Sequence, residues 1–459
     1  MTLRDVWRIT GAAGECPVRE EVWVHGVRTD SRLVDQGDLF LCLPGQNADG
    51  HDFAADALNK GAAAIMAQRP LGLDSGKVPV LYVTDCLWAL AELASFWRER
   101  FRGKVIGITG SAGKTSVKEF LACILNQGAE TGKSYKNWNN RLGVPLSILG
   151  CSAEEDFWVL EAGVNQRGEM RELARIIRPD LGVIHNIGPV HLEGLQGLEG
   201  VAREKAELIN WVRKGGYALL GKDYPLLISH LPARGDLDFL LFSLREKGAD
   251  FTGEYLGLEG NRGVYSLCLQ GSELRVSLGF PGEHQLENVL AAASAAWILG
   301  CDREAIENGL HSAELPEHRS HLLHLGSWRL IDDSYNSNPL SVHPALQSAR
   351  ELSGKEPLLA FLGDMFELGE SAEQAHYDLG KAAAEQEVTH LFYGGEFASA
   401  VKKGFTQAGG ENFHPVEGVE EFIRLWRDLD LRGGTVLFKA SRGCGLERFV
   451  QALRKELQQ

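Results

Sequence analysis

The sequence predicts an α/β protein of about three domains, with a mainly parallel sheet of the phosphate-loop type at its centre. The chain has 459 residues, and at about 150 residues per domain that length suits three. Short apolar runs alternate with amphipathic stretches from end to end, the rhythm of strands joined by crossover helices. One apolar run, Val105–Thr109, feeds straight into a glycine-rich turn and a Lys-Thr pair.

Each part shows the rhythm in turn. In residues 1–101, Gly37–Leu43 reads as a turn and a buried strand, Phe53–Lys60 as a helix, Ala62–Met66 as a strand and Leu87–Arg100 as a longer amphipathic helix. Residues 102–313 open on a basic hinge, Arg100–Lys104, and carry strands at Val105–Thr109, Trp158–Glu161, Leu181–Asn186 and Tyr217–Leu220. A β-rich excursion follows near 250–280, then a helix from Gln285 to Leu299. Residues 314–459 repeat the pattern, with strands expected at Trp328–Ile331, Leu358–Leu362, His390–Tyr393 and Val436–Lys439.

Composition narrows the function. Hydrophobic residues make up 44% and charged residues 24%, a balance that lets a chain of this length bury its cores without disulfides or a structural metal. The net charge of -15 argues against nucleic acid as the main partner, which needs a broad positive face. It leaves room for phosphates held by backbone N–H groups. The eight cysteines are scattered with no C-x-x-C pair, which favours reduced thiols in a cytoplasmic protein. Met1–Thr10 lacks an apolar signal core, and the longest apolar stretch, Val289–Leu299, is too short to span a bilayer. A cytoplasmic protein with no membrane partner, acting as a monomer, is the expectation.

The turn Gly110-Ser111-Ala112-Gly113-Lys114-Thr115-Ser116 is the strongest local signal. Its glycines let backbone amides curl around phosphate oxygens, and the helix that follows adds its dipole. Lys114 would neutralise the β- and γ-phosphates, and the Thr115 hydroxyl would reach a magnesium ion. The strict pattern G-x-x-x-x-G-K-S/T is not met, because Ile108 stands where its first glycine belongs. The turn points to a nucleoside triphosphate and does not separate kinases, GTPases, ATPases and ligases.

Other candidates read two ways from their residues alone. Glu161 ends an apolar strand on the ligand side of a parallel sheet, as a magnesium ligand or a solvent-facing acid. His191 follows the strand Leu181–Asn186 as a ligand or a surface histidine. Lys205 lies on a helix near glutamates, the usual setting of a solvated lysine. Asn288 sits in the first turns of an alanine-rich helix, where a polar residue often serves the helix start. Leu330–Pro339 is a strand running into a polar loop that suits a ribose or a peptide, or makes a plain Asn-Pro turn.

Taken together, these segments resemble the Mur ligase family. The form G-x-T-G-S-x-G-K-T is similar to the loop of Mur ligases and folylpolyglutamate synthases. Asn186–Glu193 fits N-x-x-x-x-H-L-E, Gly282–Asn288 fits G-x-H-x-x-x-N, and Asp332–Pro339 fits D-D-S-Y-N-x-N-P. Gly363–Gly369 fits G-D-M-x-E-L-G, and Ser441-Arg442-Gly443 fits a closing loop. Thr29–Arg32, Gly37–Phe40 and Asp49–Phe53 resemble the uridine-binding domain, so the likeness spans all three parts of the chain.

The resemblance implies a three-domain architecture with a Rossmann-like C-terminal domain. It implies that His191 binds metal with Thr115 and Glu161, and that Lys205 is carbamylated and joins them. It places Asn288 near adenine, Arg319 at the γ-phosphate and Asp333 at the ribose. Ser31 and Arg32 are implied contacts of a UDP group. Asn137, Asn139 and Asn140 are implied to lie near the sugar-peptide, and Tyr335, Asn336 and Asn338 near the reacting groups. Ala206 stands where the family commonly has glycine.

The implied partners are ATP with magnesium, UDP-N-acetylmuramoyl-tripeptide and D-alanyl-D-alanine, joined through an acyl phosphate in peptidoglycan precursor synthesis. The D-N-P-R motif of the diamino-acid-adding member is absent. A sister amide ligase and a phosphate-loop regulatory ATPase remain the rival expectations.

Overall fold

Three sheets, each confined to its own stretch of chain, organise the computed structural model, which describes residues 1–14, 16, 21–45, 48–73, 79–246, 248–315 and 317–458. The first sheet has four short parallel strands, Val27–Arg28, Leu39–Leu41, Ala64–Ala67 and Val80–Tyr82. Leu39, Phe40 and Leu41 are fully buried, because helices cover both faces of so small a sheet.

The helix Cys86–Arg100 closes this part and ties it to the next. Asp85 caps its start, accepting from the N–H groups of Leu87 and Trp88. Leu90 and Leu93 pack on the first core, while Ala94 and Phe101 pack on the second. Arg98 is buried and donates to the carbonyls of Ile177 and Arg178, each at 2.8 Å, and to Asp180 at 3.1 Å. Phe101 stacks on Trp158 with ring centroids 3.9 Å apart. The segment read as a basic hinge is therefore anchored at Phe101.

The second sheet has nine strands. From one edge they run Thr131–Lys133, Phe157–Glu161, Lys104–Thr109, Leu181–Ile184, Tyr217–Gly221, Asp238–Ser243, Phe251–Glu259, Arg262–Leu269 and Ser272–Leu278. The pairings from Thr131–Lys133 through Phe251–Glu259 are parallel, and the last two are antiparallel. The β-rich excursion read at 250–280 thus extends the central sheet. Ile106, Phe120 and Val289 fill the core on one face, and Val105, Trp158 and Val201 that on the other. The chain leaves Phe157–Glu161 on one side of Lys104–Thr109 and returns at Leu181–Ile184 on the other. Such a reversal opens a crevice at the C-terminal ends of parallel strands.

The third sheet has six strands, in the order His321–Leu325, Trp328–Asp333, Gly434–Lys439, Leu358–Gly363, Val388–Gly394 and Asn412–Pro415. All pair in parallel except His321–Leu325, an antiparallel edge joined to Trp328–Asp333 by a turn at Gly326 with φ 60°. The sequence reading missed that edge, because its strand is only half buried and carries histidines at two positions. Among the described residues no helix is long and apolar enough to cross a membrane.

Candidate active site

The phosphate loop joins the strand Lys104–Thr109 to the helix Lys114–Leu125, with Gly113 in the left-handed region at φ 77°. Both loop glycines are sterically required. A Cβ on Gly110 would collide with the His185 ring, and one on Gly113 with the Asn288 side chain. Ser111 and Ala112 donate their N–H groups to Asn186 Oδ1 at 2.8 and 3.0 Å. The amides of Lys114, Thr115 and Ser116 open the helix, so they lack an intrahelical partner, and all three residues line the pocket. His185 is fully buried between the carbonyls of Thr109 and Ala112. Burial pushes its pKa down to about 3, against the pull of those two oxygens.

Lys114 Nζ donates to the Gly110 carbonyl at 2.9 Å. Burial lowers its pKa, Glu161 opposes that, and Arg319 adds to it.

Thr115 Oγ1 donates to Glu161 Oε2 at 2.9 Å, and Asn139 Nδ2 donates to Glu161 Oε1 at 2.7 Å. The Glu161 N–H is held by Ser134 Oγ at 3.0 Å. Lys118, fully buried, donates to the Ser134 and Lys136 carbonyls at 2.9 and 2.5 Å, which fixes the segment bearing Asn137 and Asn139. Among the described residues no three His, Cys, Asp or Glu side chains converge as a metal cage. A Thr hydroxyl beside one carboxylate still fits magnesium, which takes one or two protein oxygens and leaves the rest to phosphates and water.

Lys205 lies on the helix Leu198–Asn210 and is 1% exposed. Burial first, and then the charge on Lys114, push its pKa well below the usual 10.5, with Glu204 opposing. His191, in the left-handed region at φ 49°, meets Glu367 of the third domain through Nδ1. Burial lowers the His191 pKa and Glu367 raises it.

The opposite wall comes from loops at the C-terminal ends of the third sheet. Asp333 accepts from Ser320 N–H at 3.0 Å and from Lys439 Nζ at 2.5 Å. Lys439 also donates to the Asn336 carbonyl at 3.0 Å. Arg319 lies over the Tyr335 ring at 4.0 Å, and Arg442 over the same ring at 5.2 Å. Ser441 Oγ accepts from Phe366 N–H and donates to the Ser337 carbonyl, tying three loops together.

These walls enclose a cavity of about 540 Å³. Ser111 through Ser116, Asn137, Asn139, Glu161, His191, Asn288, Arg319, Asp333, Tyr335, Asn336 and Asn338 all line it. Asn338 also caps the helix Pro339–Ser353 by accepting from Ser341 N–H, the Asn-Pro turn that its sequence suggests. Lys205 is not among the lining residues; it lies buried on the helix Leu198–Asn210. Asn140 instead caps a turn, accepting from Leu142 and Gly143 N–H. Ser31 and Arg32 belong to the first domain, outside this cavity; Ser31 is buried and Arg32 pairs with Asp30 at 2.7 Å. The sequence reading missed Lys439, Glu287 and Glu367. A lysine ending the buried run Thr435–Phe438 was the only signal for Lys439.

Fold and site together define a three-domain phosphate-loop protein whose nucleotide pocket is completed by a second α/β domain. Family models match in series: the Mur ligase family catalytic domain at 23–98, the Mur ligase middle domain at 108–296, and the Mur ligase glutamate ligase domain at 318–442. The chain belongs to the Mur ligase family. It is 33% identical to the UDP-N-acetylmuramoyl-tripeptide--D-alanyl-D-alanine ligase of Escherichia coli over 437 residues, 95% of each chain. A crystal structure of MurF from Acinetobacter baumannii superposes with TM-score 0.87 at 30% identity, covering 99% of this chain and 98% of that one. MurF ligase from Thermotoga maritima in complex with ADP superposes with TM-score 0.82 at 27% identity, covering 96% and 99%.

Proposed function

We propose that this chain is the ADP-forming ligase that joins D-alanyl-D-alanine to UDP-N-acetylmuramoyl-tripeptide in peptidoglycan precursor synthesis, in the cytoplasm. One observation carries the reading: Lys114 of the central domain and Arg319 of the third domain line the same cavity. The whole-length identity to a ligase of that name supplies the substrates.

Residues 102–313 hold ATP on the amides of Gly113–Ser116, with Asn288 near the base and Asp333 at the ribose. Residues 1–101 bind the UDP group through Ser31 and Arg32, with Asn137, Asn139 and Asn140 toward the sugar-peptide. Residues 314–459 receive the dipeptide amine, with Tyr335, Asn336 and Asn338 lining its approach. The terminal carboxylate oxygen of the tripeptide attacks the γ-phosphorus, and the bond to the β-bridging oxygen breaks, giving acyl phosphate and ADP. Lys114 and Arg319 offset the charge that spreads over the transferring phosphoryl group. The dipeptide amine then attacks the acyl carbon, an amide forms, and phosphate leaves with the carboxylate oxygen. Closure of the third domain keeps water from the acyl phosphate.

Thr115, Glu161, His191 and Lys205 would hold magnesium, which would supply further neutralisation of the phosphate charge. The low basicity of Lys205 supports its carbamylation. A neutral Nζ adds to the carbon of carbon dioxide and gives up one proton to water, and the resulting anion offers two oxygens. A phosphate-release assay comparing D-alanyl-D-alanine, lysine, diaminopimelate and glutamate tests the reading. Release and a lengthened peptide are expected with the dipeptide alone. Release with a single amino acid would assign the chain to a sister ligase, and release needing no peptide to a regulatory ATPase.

A further inference from the structure

On the wall of the nucleotide pocket, on the helix Glu283–Ile298, lies a carboxylate that the mechanism above does not use. Glu287 Oε2 accepts from Asn186 Nδ2 at 2.9 Å, and Glu287 Oε1 accepts from Tyr224 Oη at 2.6 Å. The other end of the Asn186 carboxamide accepts the N–H groups of Ser111 and Ala112. Asn186 Nδ2 also reaches the Ala112 carbonyl at 3.2 Å. We propose that Glu287 is a positioning residue for ATP: it orients Asn186, and Asn186 holds the phosphate loop in the shape that receives the phosphates. The inference rests on the ligase reading, since it concerns how that enzyme binds its nucleotide.

A carboxamide can sit either way round, and its neighbours decide which. Turned by half a rotation, the Asn186 NH₂ group would face two N–H donors and its oxygen would face the Glu287 carboxylate. Both contacts would be repulsive in a buried setting, where an unmatched polar group is costly. Glu287 accepts on both oxygens, so it selects the orientation seen. With Ser111 and Ala112 satisfied by Asn186, the loop needs no rearrangement to present the amides at the start of the helix Lys114–Leu125.

Burial raises the Glu287 pKa to about 7, with Asp223 adding to the rise and Arg245, Asn186 and Tyr224 opposing it. Either protonation state keeps an oxygen for Asn186 Nδ2, so the orientation does not depend on full ionisation. Removing the acceptor altogether does release it. A glutamine keeps the acceptor and can offer its NH₂ group to Tyr224 Oη.

The test uses the full-length enzyme with ATP, magnesium and both peptide substrates. Glu287→Leu is expected to raise KM for ATP by about tenfold. Its kcat and its KM for UDP-N-acetylmuramoyl-tripeptide should stay within about twofold of the parent. Glu287→Gln should bring KM for ATP back to within about threefold of the parent. Tyr224→Phe, which leaves the Asn186 contact in place, should raise it by less than Glu287→Leu and serves if the leucine variant does not fold. Unchanged KM for ATP in Glu287→Leu would overturn the proposal. So would equal losses in Glu287→Gln and Glu287→Leu, or a Tyr224→Phe variant that raises KM for ATP about tenfold or more. A parent enzyme that makes no ADP would instead sink the ligase reading.

Discussion

The two walls of the pocket are built differently. The central wall is a single turn of backbone, held by contacts within its own domain: Asn186 on the Ser111 and Ala112 amides, Thr115 on Glu161. The facing wall is assembled from side chains on separate loops. There Lys439 steadies Asp333, while Arg319 rests on the Tyr335 ring and pairs with no carboxylate among the described residues. A preformed loop receives phosphates with little reorganisation, whereas a guanidinium parked on a ring can move to a new anion. On the proposed mechanism Lys114 and Arg319 both meet the charge that develops during transfer, but Lys114 belongs to a preformed wall and Arg319 to one that can rearrange.

Substitutions should separate these roles. Lys114→Ala removes the cation at the centre of the loop and should lower ADP formation about a thousandfold, read by coupled assay. Arg319→Ala should cost about a hundredfold in kcat with KM for ATP nearly unchanged, the mark of an interaction made in the transition state. A comparable rise in KM for ATP would erase the contrast between the walls. Lys205→Ala should lose roughly 10–100-fold, and added formate or acetate should restore part of it. Full activity without added acid would remove the carbamate from the account. Lys439→Met frees Asp333 and should raise KM for ATP about tenfold.

The smallest effect concerns acid stability. Burial pushes His284 down to about 4 from an ordinary 6.5. The folded ring stays neutral where the unfolded one takes a proton. Its contribution is present above about pH 6.5 and is lost as pH falls toward about 4. Thermal melts at neutral and mildly acidic pH should show a smaller acid-induced drop for His284→Gln than for the parent.

Legibility in the sequence followed contiguity. The phosphate loop could be read because strand, glycines, Lys-Thr and helix succeed one another. Glu161 stood at the end of a buried strand, on the side where parallel sheets bind ligands. Pairings between distant segments could not be read. His191 and Glu367 are 176 residues apart, and only the packing of the third domain on the central one joins them. Glu287 looked like any helix glutamate, because its partners Asn186 and Tyr224 come from loops after two different strands. Asn140 could not be told from its neighbours in the sequence: its side-chain oxygen accepts two backbone amides, the common use of that residue in turns, whereas Asn137 and Asn139 line the cavity.

The central claim is that a peptide carboxylate takes the terminal phosphoryl group of ATP and later surrenders one oxygen to the departing phosphate. Tripeptide substrate carrying ¹⁸O at both oxygens of its terminal carboxylate tests this directly. Mass analysis after one round of ligation should find one ¹⁸O in each released phosphate and none in ADP. Phosphate free of label would contradict the account, because the phosphoryl group would then never have been bonded to the peptide.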